Sequence, residues 1–328
     1  MSLSLSRFLA FALMMTCAAS LLAQSPRYTD PQETDADFAW QGEYMGQVGE
    51  DRERLGLQVI AQGQGRFQAV VYFGGLPGDG WDQQEPIRTT GQRKDEQIIF
   101  DAPQGSAILE NGTATIYDPQ GTRIGRLTKV TRSSPTLGAK PPAGAVVLFD
   151  GTPASLENWQ NGRMTDDGLL MEGTTSKQTF GDHQLHLEFR LAYQPEDRGQ
   201  GRSNSGLYVQ GRYEVQILDS FGLEGKHDEC GGIYSVKDPD VNMCLPPLSW
   251  QTYDIDFTAA RYDDQGNRTA DPKITVRHNG VVIHQDVVLP GERSTTAAPV
   301  GPGPEPGPVY LQNHGCPLRF RNIWVVPQ

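Results

Sequence analysis

From residue 38 onward the chain is a succession of short apolar runs that alternate with polar residues and end at Gly, Pro, Asn or Asp, with no convincing long helix among them. Alternation at period two buries one face of a strand and leaves the other free, so this pattern commits the chain to β-structure. Leu55, Leu57 and Val59 alternate, as do Phe67, Ala69, Val71 and Phe73 after the turn Gln62-Gly63-Gln64-Gly65. Asn111-Gly112 and Asn279-Gly280 are the strongest two-residue hairpin signals, and the first predicts Ala107 and Leu109 opposite Ile116 and Ala114. The 37 Gly and 23 Pro of 328 residues supply the turns without reaching the level of low complexity. At about 150 residues per domain, the length predicts two units.

A Ser-, Pro-, Gly- and Ala-rich stretch from Thr131 to Gly144 marks the boundary. The expected units are a small all-β domain over 24–135, a linker over 136–145, and a second strand-rich domain over 146–328. The second unit carries Leu185/Leu187/Phe189/Leu191, Leu207/Val209, Tyr213/Val215/Ile217, Tyr253/Ile255/Phe257 and a closing run from Phe320 to Val325. So many strands without a long helix predict a two-sheet sandwich or jelly roll. In the first unit, Gly74 to Trp81 is a Gly-rich loop with no helix after it to offer amides to a phosphate, and it reads as a structured turn.

Forty acidic against 28 basic residues give a formal charge of −12, and no basic run occurs, which excludes a nucleic-acid partner on electrostatic grounds. Arg7, the apolar run Leu9 to Met15 and the small-residue exit Ala18 to Ala23 predict a secretory signal over 1–23 and hence a periplasmic or secreted protein. No later stretch is apolar enough to span a membrane. Cys230 and Cys244 flank a Gly- and Asp-Pro-containing loop and are either a disulfide that staples it or two buried thiols; Cys316 is left over.

Chemistry must come from the polar faces of the strands. Period two puts Glu214 and Gln216 opposite Tyr213, Val215 and Ile217, with Asp219 joining them only through a bulge. His186, Glu188 and Arg190 share the polar face of another strand, and Tyr310, Gln312 and His314 that of a third. Asn204, before a Ser-Gly turn, could be oriented over the same face, and Glu229 stands on the loop beside Cys230. Collected on one sheet, these carboxylates, amides, imidazole and guanidinium suit carbohydrate chemistry, in which carboxylates act as acid, base or nucleophile. Trp159, Trp250 and Trp324 could stack on sugar rings or fill the core. Glu188, Glu214 and His314 could form a divalent-metal site if they converge; spacing alone leaves the metal and the oligomeric state open.

An ordered series of blocks carries a resemblance over residues 146–328: Leu148-Phe149-Asp150-Gly151, Asn204-Ser205-Gly206-Leu207-Tyr208, Tyr213-Glu214-Val215-Gln216-Ile217-Leu218-Asp219, Glu229-Cys230-Gly231-Gly232-Ile233-Tyr234, Trp250-Gln251-Thr252-Tyr253-Asp254 and Leu311-Gln312-Asn313-His314-Gly315. In these blocks the chain resembles the 3-keto-disaccharide hydrolase family, a concanavalin- or LamG-like jelly roll of exported bacterial proteins. The resemblance implies an enzyme acting on glycosides already oxidised at C3 of the sugar, by hydrolysis or by elimination across C1–C2 followed by hydration. It implies Glu214, His314 and Glu188 as catalytic candidates and Arg190, Asn204, Gln216, Asp219, Glu229, Tyr234 and Gln312 as substrate-binding ones. Gln216 stands where glucanases of similar fold carry an acid, which argues against ordinary two-carboxylate hydrolysis. The alternative is a non-catalytic carbohydrate-binding or structural envelope protein built on the same jelly roll.

Overall fold

In a computed structural model describing residues 25–328, the alternating runs become antiparallel strands throughout; the segment 1–23 read as a secretory signal lies outside the described residues. The first eight strands are β1 (Gly42–Val48), β2 (Glu53–Ala61), β3 (Arg66–Phe73), β4 (Ile87–Lys94), β5 (Gln97–Ala102), β6 (Gly105–Glu110), β7 (Thr113–Tyr117) and β8 (Arg123–Val130). Each pairs with the next, and β8 closes on β1 to make a barrel. The hairpin at Asn111-Gly112 has both central residues at positive φ, 47° and 72°, the conformation that matches strand twist. It sets Ala107 against Ile116 and Leu109 against Ala114, the register the sequence predicts. Inward side chains of alternate residues fill the barrel, among them Tyr44, Leu57, Val59, Phe67, Phe100 and Leu127.

The second unit is a sandwich. One sheet has five strands in the order β10 (Trp159–Gln160), β12 (Thr174–Phe180), β21 (Gly307–Leu311), β14 (Asn204–Val209) and β15 (Tyr213–Leu218). The other runs β11 (Leu170–Met171), β22 (Arg319–Pro327), β13 (His183–Arg190), β16 (Trp250–Thr258), β19 (Lys273–His278) and β20 (Val281–Val288), with β9 (Val146–Phe149) added beside β22, while β17 (Arg261–Tyr262) and β18 (Arg268–Ala270) pair as a separate ribbon. Leu185, Leu187 and Phe189 from one sheet meet Leu207, Val215, Ile217 and Leu311 from the other, all essentially inaccessible to water. At about 1.5–3 kcal/mol for each large apolar side chain buried, this layer is the main favourable term holding the sheets together. Among the described residues no helix is long and apolar enough to cross a membrane.

The barrel lies against the sandwich rather than hanging from a free linker. β2 and β3 are buried on both faces because Ile60, Val70 and Tyr72, which point out of the barrel, pack with Phe221 and Met243 of the sandwich. Arg88 donates to the carbonyl of Gly222 at 2.6 Å. The segment between β8 and β9 runs as a strap over the larger sheet. Arg132 grips Glu43 through two nitrogens, and Thr136 Oγ1 donates to Asp254 at 2.6 Å. The amide of Gly138 donates to Glu188 at 2.6 Å, and Asn322 donates to the carbonyl of Ala139.

Candidate active site

The hairpin β14–β15 turns at Gln210-Gly211, both at positive φ, and fixes Tyr208 opposite Glu214 and Gly206 opposite Gln216. Val215 and Ile217 point into the core, so Glu214 and Gln216 point to the outer face, with Asn204, Gly206 and Tyr208 beside them. β21 pairs with β14 through Tyr310 and Tyr208, and Gln312 follows at its end, where its amide hydrogen is accepted by the carbonyl of Gly206. The loop after β15 folds back on that strand's free edge: Gln216 N donates to Gly232 O, Gly231 N to Gln216 O and Tyr234 N to Glu214 O. Tyr234 is thereby carried to the rim. Gln200, Thr296 and His314 complete the walls of a cavity of about 150 Å³. That volume is of the order that admits one six-membered ring.

Glu214 is the one carboxyl among the described residues lining this cavity. Only 3% of the residue is exposed, and burial pushes its pKa up from 4.5 to about 7 despite a hydrogen bond with Tyr208. The Tyr208 hydroxyl lies 3.0 Å from the Thr296 carbonyl, to which it donates, and receives Gln312 Nε2 at 3.1 Å. Gly206 makes room for the carboxyl: a Cβ at this position would overlap Glu214 Oε1 and lie 2.9 Å from its Cδ. Gln200 ties the amides together, accepting from Asn204 at 2.9 Å and from Gln216 at 3.3 Å. Asn204 Oδ1 is buried at the cavity without a partner among the described residues, free to accept from a ligand hydroxyl.

Of the residues singled out in the sequence, the structure brings together Glu214, Gln216, Asn204, Tyr234, Gln312 and His314. His314 stands exposed at the rim. Glu188 and Arg190 do not belong. β13 pairs with β16 and β22 in the opposite sheet, so its polar face and that of β15 are not collected on one sheet. The strap lies on Glu188, and the segment before β1 reaches Arg190. Glu188 accepts from Gly138 N, Arg321 and Asn322 at 2.6–2.9 Å with His186 at 3.6 Å, and these groups overcome the effect of burial to hold its pKa at about 2. Arg190 donates to the Thr29 carbonyl and lies over the Trp250 ring. Glu188, Glu214 and His314 therefore do not converge, and among the described residues no three His, Cys, Asp or Glu side chains are grouped as metal ligands.

Asp219 and Glu229 also serve the framework. Asp219 accepts from Arg202 at 2.6 Å, and Arg202 reaches on to the Ala61 carbonyl of the barrel. Glu229 accepts from the amides of Gly225 and Lys226 and closes the turn beneath the rim loop. Cys230 and Cys244 are free buried thiols, not a disulfide. The loop between them is held instead by its ladder to β15 and by the Cys230 amide on Ser220 Oγ at 2.8 Å, while the Cys230 thiol meets the Tyr253 hydroxyl at 3.3 Å. Trp159 is buried, Trp324 stacks on His186, and Trp250 lies under Arg190 and Arg321; none lines the cavity. Tyr208 was the missed residue with a signal, since period two from Asn204 reaches it. Gln200 and Thr296 arrive from loops far apart in sequence, and no spacing announces them.

An all-β sandwich with a sugar-sized pocket of amides, phenols, one acid and an imidazole on its outer sheet belongs to the carbohydrate-active class. The profile of the 3-keto-alpha-glucoside-1,2-lyase-like domain matches residues 144–326, more than half of the chain, and the chain belongs to that family. A crystal structure from Parabacteroides distasonis ATCC 8503, described as a "putative glycosyl hydrolase", is 32% identical with a TM-score of 0.50, over 57% of this chain and 85% of that one. A second structure from the same organism, described in the same words, is 22% identical with a TM-score of 0.39, over 56% of this chain and 99% of its own. A search of curated proteins found no match.

Proposed function

We propose that the protein is an exported enzyme that cleaves 3-keto-glycosides by elimination across C1–C2, with hydration completing net hydrolysis. The observation that carries this reading is the solitary acid. Ordinary glycoside hydrolysis uses two carboxyl groups about 5–9.5 Å apart across the bond, whereas Glu214 shares its cavity with Gln216 and no second carboxyl. A ketone at C3 changes the requirement. It acidifies the hydrogen on C2, so one base with a pKa near neutrality can remove it. The C2–H pair then forms the C1=C2 double bond by way of the C3 enolate. The C1–O bond breaks, and the leaving oxygen takes a proton from an acid. Water added across the double bond restores the free 3-keto sugar.

Glu214 is the base in this scheme, and His314, at the rim, protonates the departing oxygen. The amides of Gln216 and Gln312 hold the carbonyl as charge develops on it, and Asn204 Oδ1 takes a sugar hydroxyl. The test is deuterium exchange. A 3-keto-disaccharide in heavy water should exchange its C2 hydrogen and release its second sugar with the parent protein, and do neither with Glu214→Gln. A variant that binds the sugar and performs like the parent would leave a carbohydrate-binding module. Export rests on Arg7 and the apolar run that follows it, and cell fractionation that finds the protein only in the cytoplasm would remove that part.

A further inference from the structure

The two ends of the barrel are built differently. One end is stoppered: Tyr193 and Leu248 of the sandwich enter its core cluster, with Tyr28, Phe38 and Trp40 packed behind them. The other end opens into a cup of about 140 Å³ whose lining comes entirely from the barrel. Its floor is Leu55, Leu57, Ala69, Phe100 and Ala107, all buried. Its wall rises through Val48, Val71, Phe73, Ile87, Ile116 and Ile124, which stay half-buried. An eight-stranded barrel can either fill its interior with side chains or hold one small ligand. This one fills the stoppered half with Tyr44 and Phe67, and at the cup places Ala69 and Ala107 where larger residues would close the space.

We propose that the cup is a binding site for a small uncharged molecule with a benzene-sized apolar body and one hydrogen-bonding group. Size follows from the volume, since an apolar cavity of about 150 Å³ takes up benzene. Lack of charge follows from the lining, which contains no Asp, Glu, Lys, Arg or His. A hydrogen-bonding group on the ligand follows from Thr89, Gln104, Ser106 and Tyr117, the polar side chains of the lining. Pockets of this kind, apolar with a few polar groups at one edge, recur in the mouths of β-barrels. The cup shares no lining residue with the sugar pocket, and binding there does not depend on the reaction proposed above.

The experiment uses the full chain with p-cresol and n-hexanol as probes and glucose as the control. p-Cresol should shift the Ala69 and Ala107 methyl resonances in a saturable way and raise the melting temperature, while glucose does neither to the barrel. Ala107→Leu places an isobutyl group in the cup and should abolish both effects. If that variant does not fold, the methyl shifts in the parent decide. Probes that leave both methyls unmoved, or that bind Ala107→Leu as well as the parent, overturn the proposal.

Discussion

Replacing Glu214 by Gln should make the protein more stable at alkaline pH while abolishing its chemistry, and the size of the gain follows from burial. The carboxyl has a pKa of about 7 in the folded state against 4.5 as its ordinary value. Between those two values the folded state binds the extra proton and the unfolded state does not, so stability falls as pH rises through that window. Each pH unit of difference is worth about 1.4 kcal/mol, so the complete penalty for ionising the buried acid is about 3 kcal/mol. Most of it accrues between about pH 5 and about pH 8. Glutamine keeps the shape and cannot ionise. Urea unfolding of parent and Glu214→Gln at those two pH values should show the parent losing about 2–3 kcal/mol more than the variant. Parallel pH dependences would refute the reasoning, because they would mean that Glu214 ionises in the fold as easily as in water. The same titration should appear in turnover: the parent's rate should rise with pH to an inflection near 7 as the base form is populated.

Two further outcomes separate the sugar pocket from the strap. Gly206→Ala is compatible with its strand but overlaps the Glu214 carboxyl. It should lower turnover by about 100-fold, the order expected for a displacement of about 1 Å in a reacting group, with an unchanged circular dichroism spectrum; near-parental turnover would show that the carboxyl's position across Gly206 is not the reactive one. Glu188→Gln removes the anion that the Gly138 amide, Asn322 and the part-exposed Arg321 share, and should cost about 1–3 kcal/mol in urea unfolding while leaving turnover per folded molecule intact. Its pKa is lowered to about 2, so the stabilisation it supplies is present above 4.5 and lost as pH falls toward 2, and the variant should lack that acid limb.

Much of the fold was legible because alternation and turn chemistry are local. The Asn111-Gly112 hairpin fixes Ala107 against Ile116, and the period along Tyr213–Leu218 fixes which way Glu214 and Gln216 face. Membership of a sheet is not local. Glu188 lies on a strand with the same alternation as Glu214, and nothing within either strand states that one crosses to the opposite layer. Nor does a strand record what will lie on it: the segment after β8 reads as a plain linker, yet its Thr136 and Gly138 dock on Asp254 and Glu188. Closure of the first domain into a barrel depends on β8 meeting β1, a pairing across most of that domain's length that no short window contains.

Glu188 and Glu214 show why a pattern of charged residues is not yet a site. Both are nearly inaccessible, and in both burial alone drives the pKa upward. What differs is the supply of donors. Glu188 receives an amide, a guanidinium, a carboxamide and an imidazole, which together reverse the effect of burial and turn the acid into a permanent anion that holds the strap. Among the described residues Glu214 has Tyr208 alone, and that hydroxyl already has the Thr296 carbonyl as an acceptor. A carboxylate saturated with donors has little basicity left to offer a substrate, whereas one buried among acceptors and amides stays close to the point where it can take and return a proton. The under-satisfied acid is therefore the one suited to the base's part in the proposed elimination. Gly206, by leaving space beside it, lets that acid line the cavity, where the proposed elimination needs it.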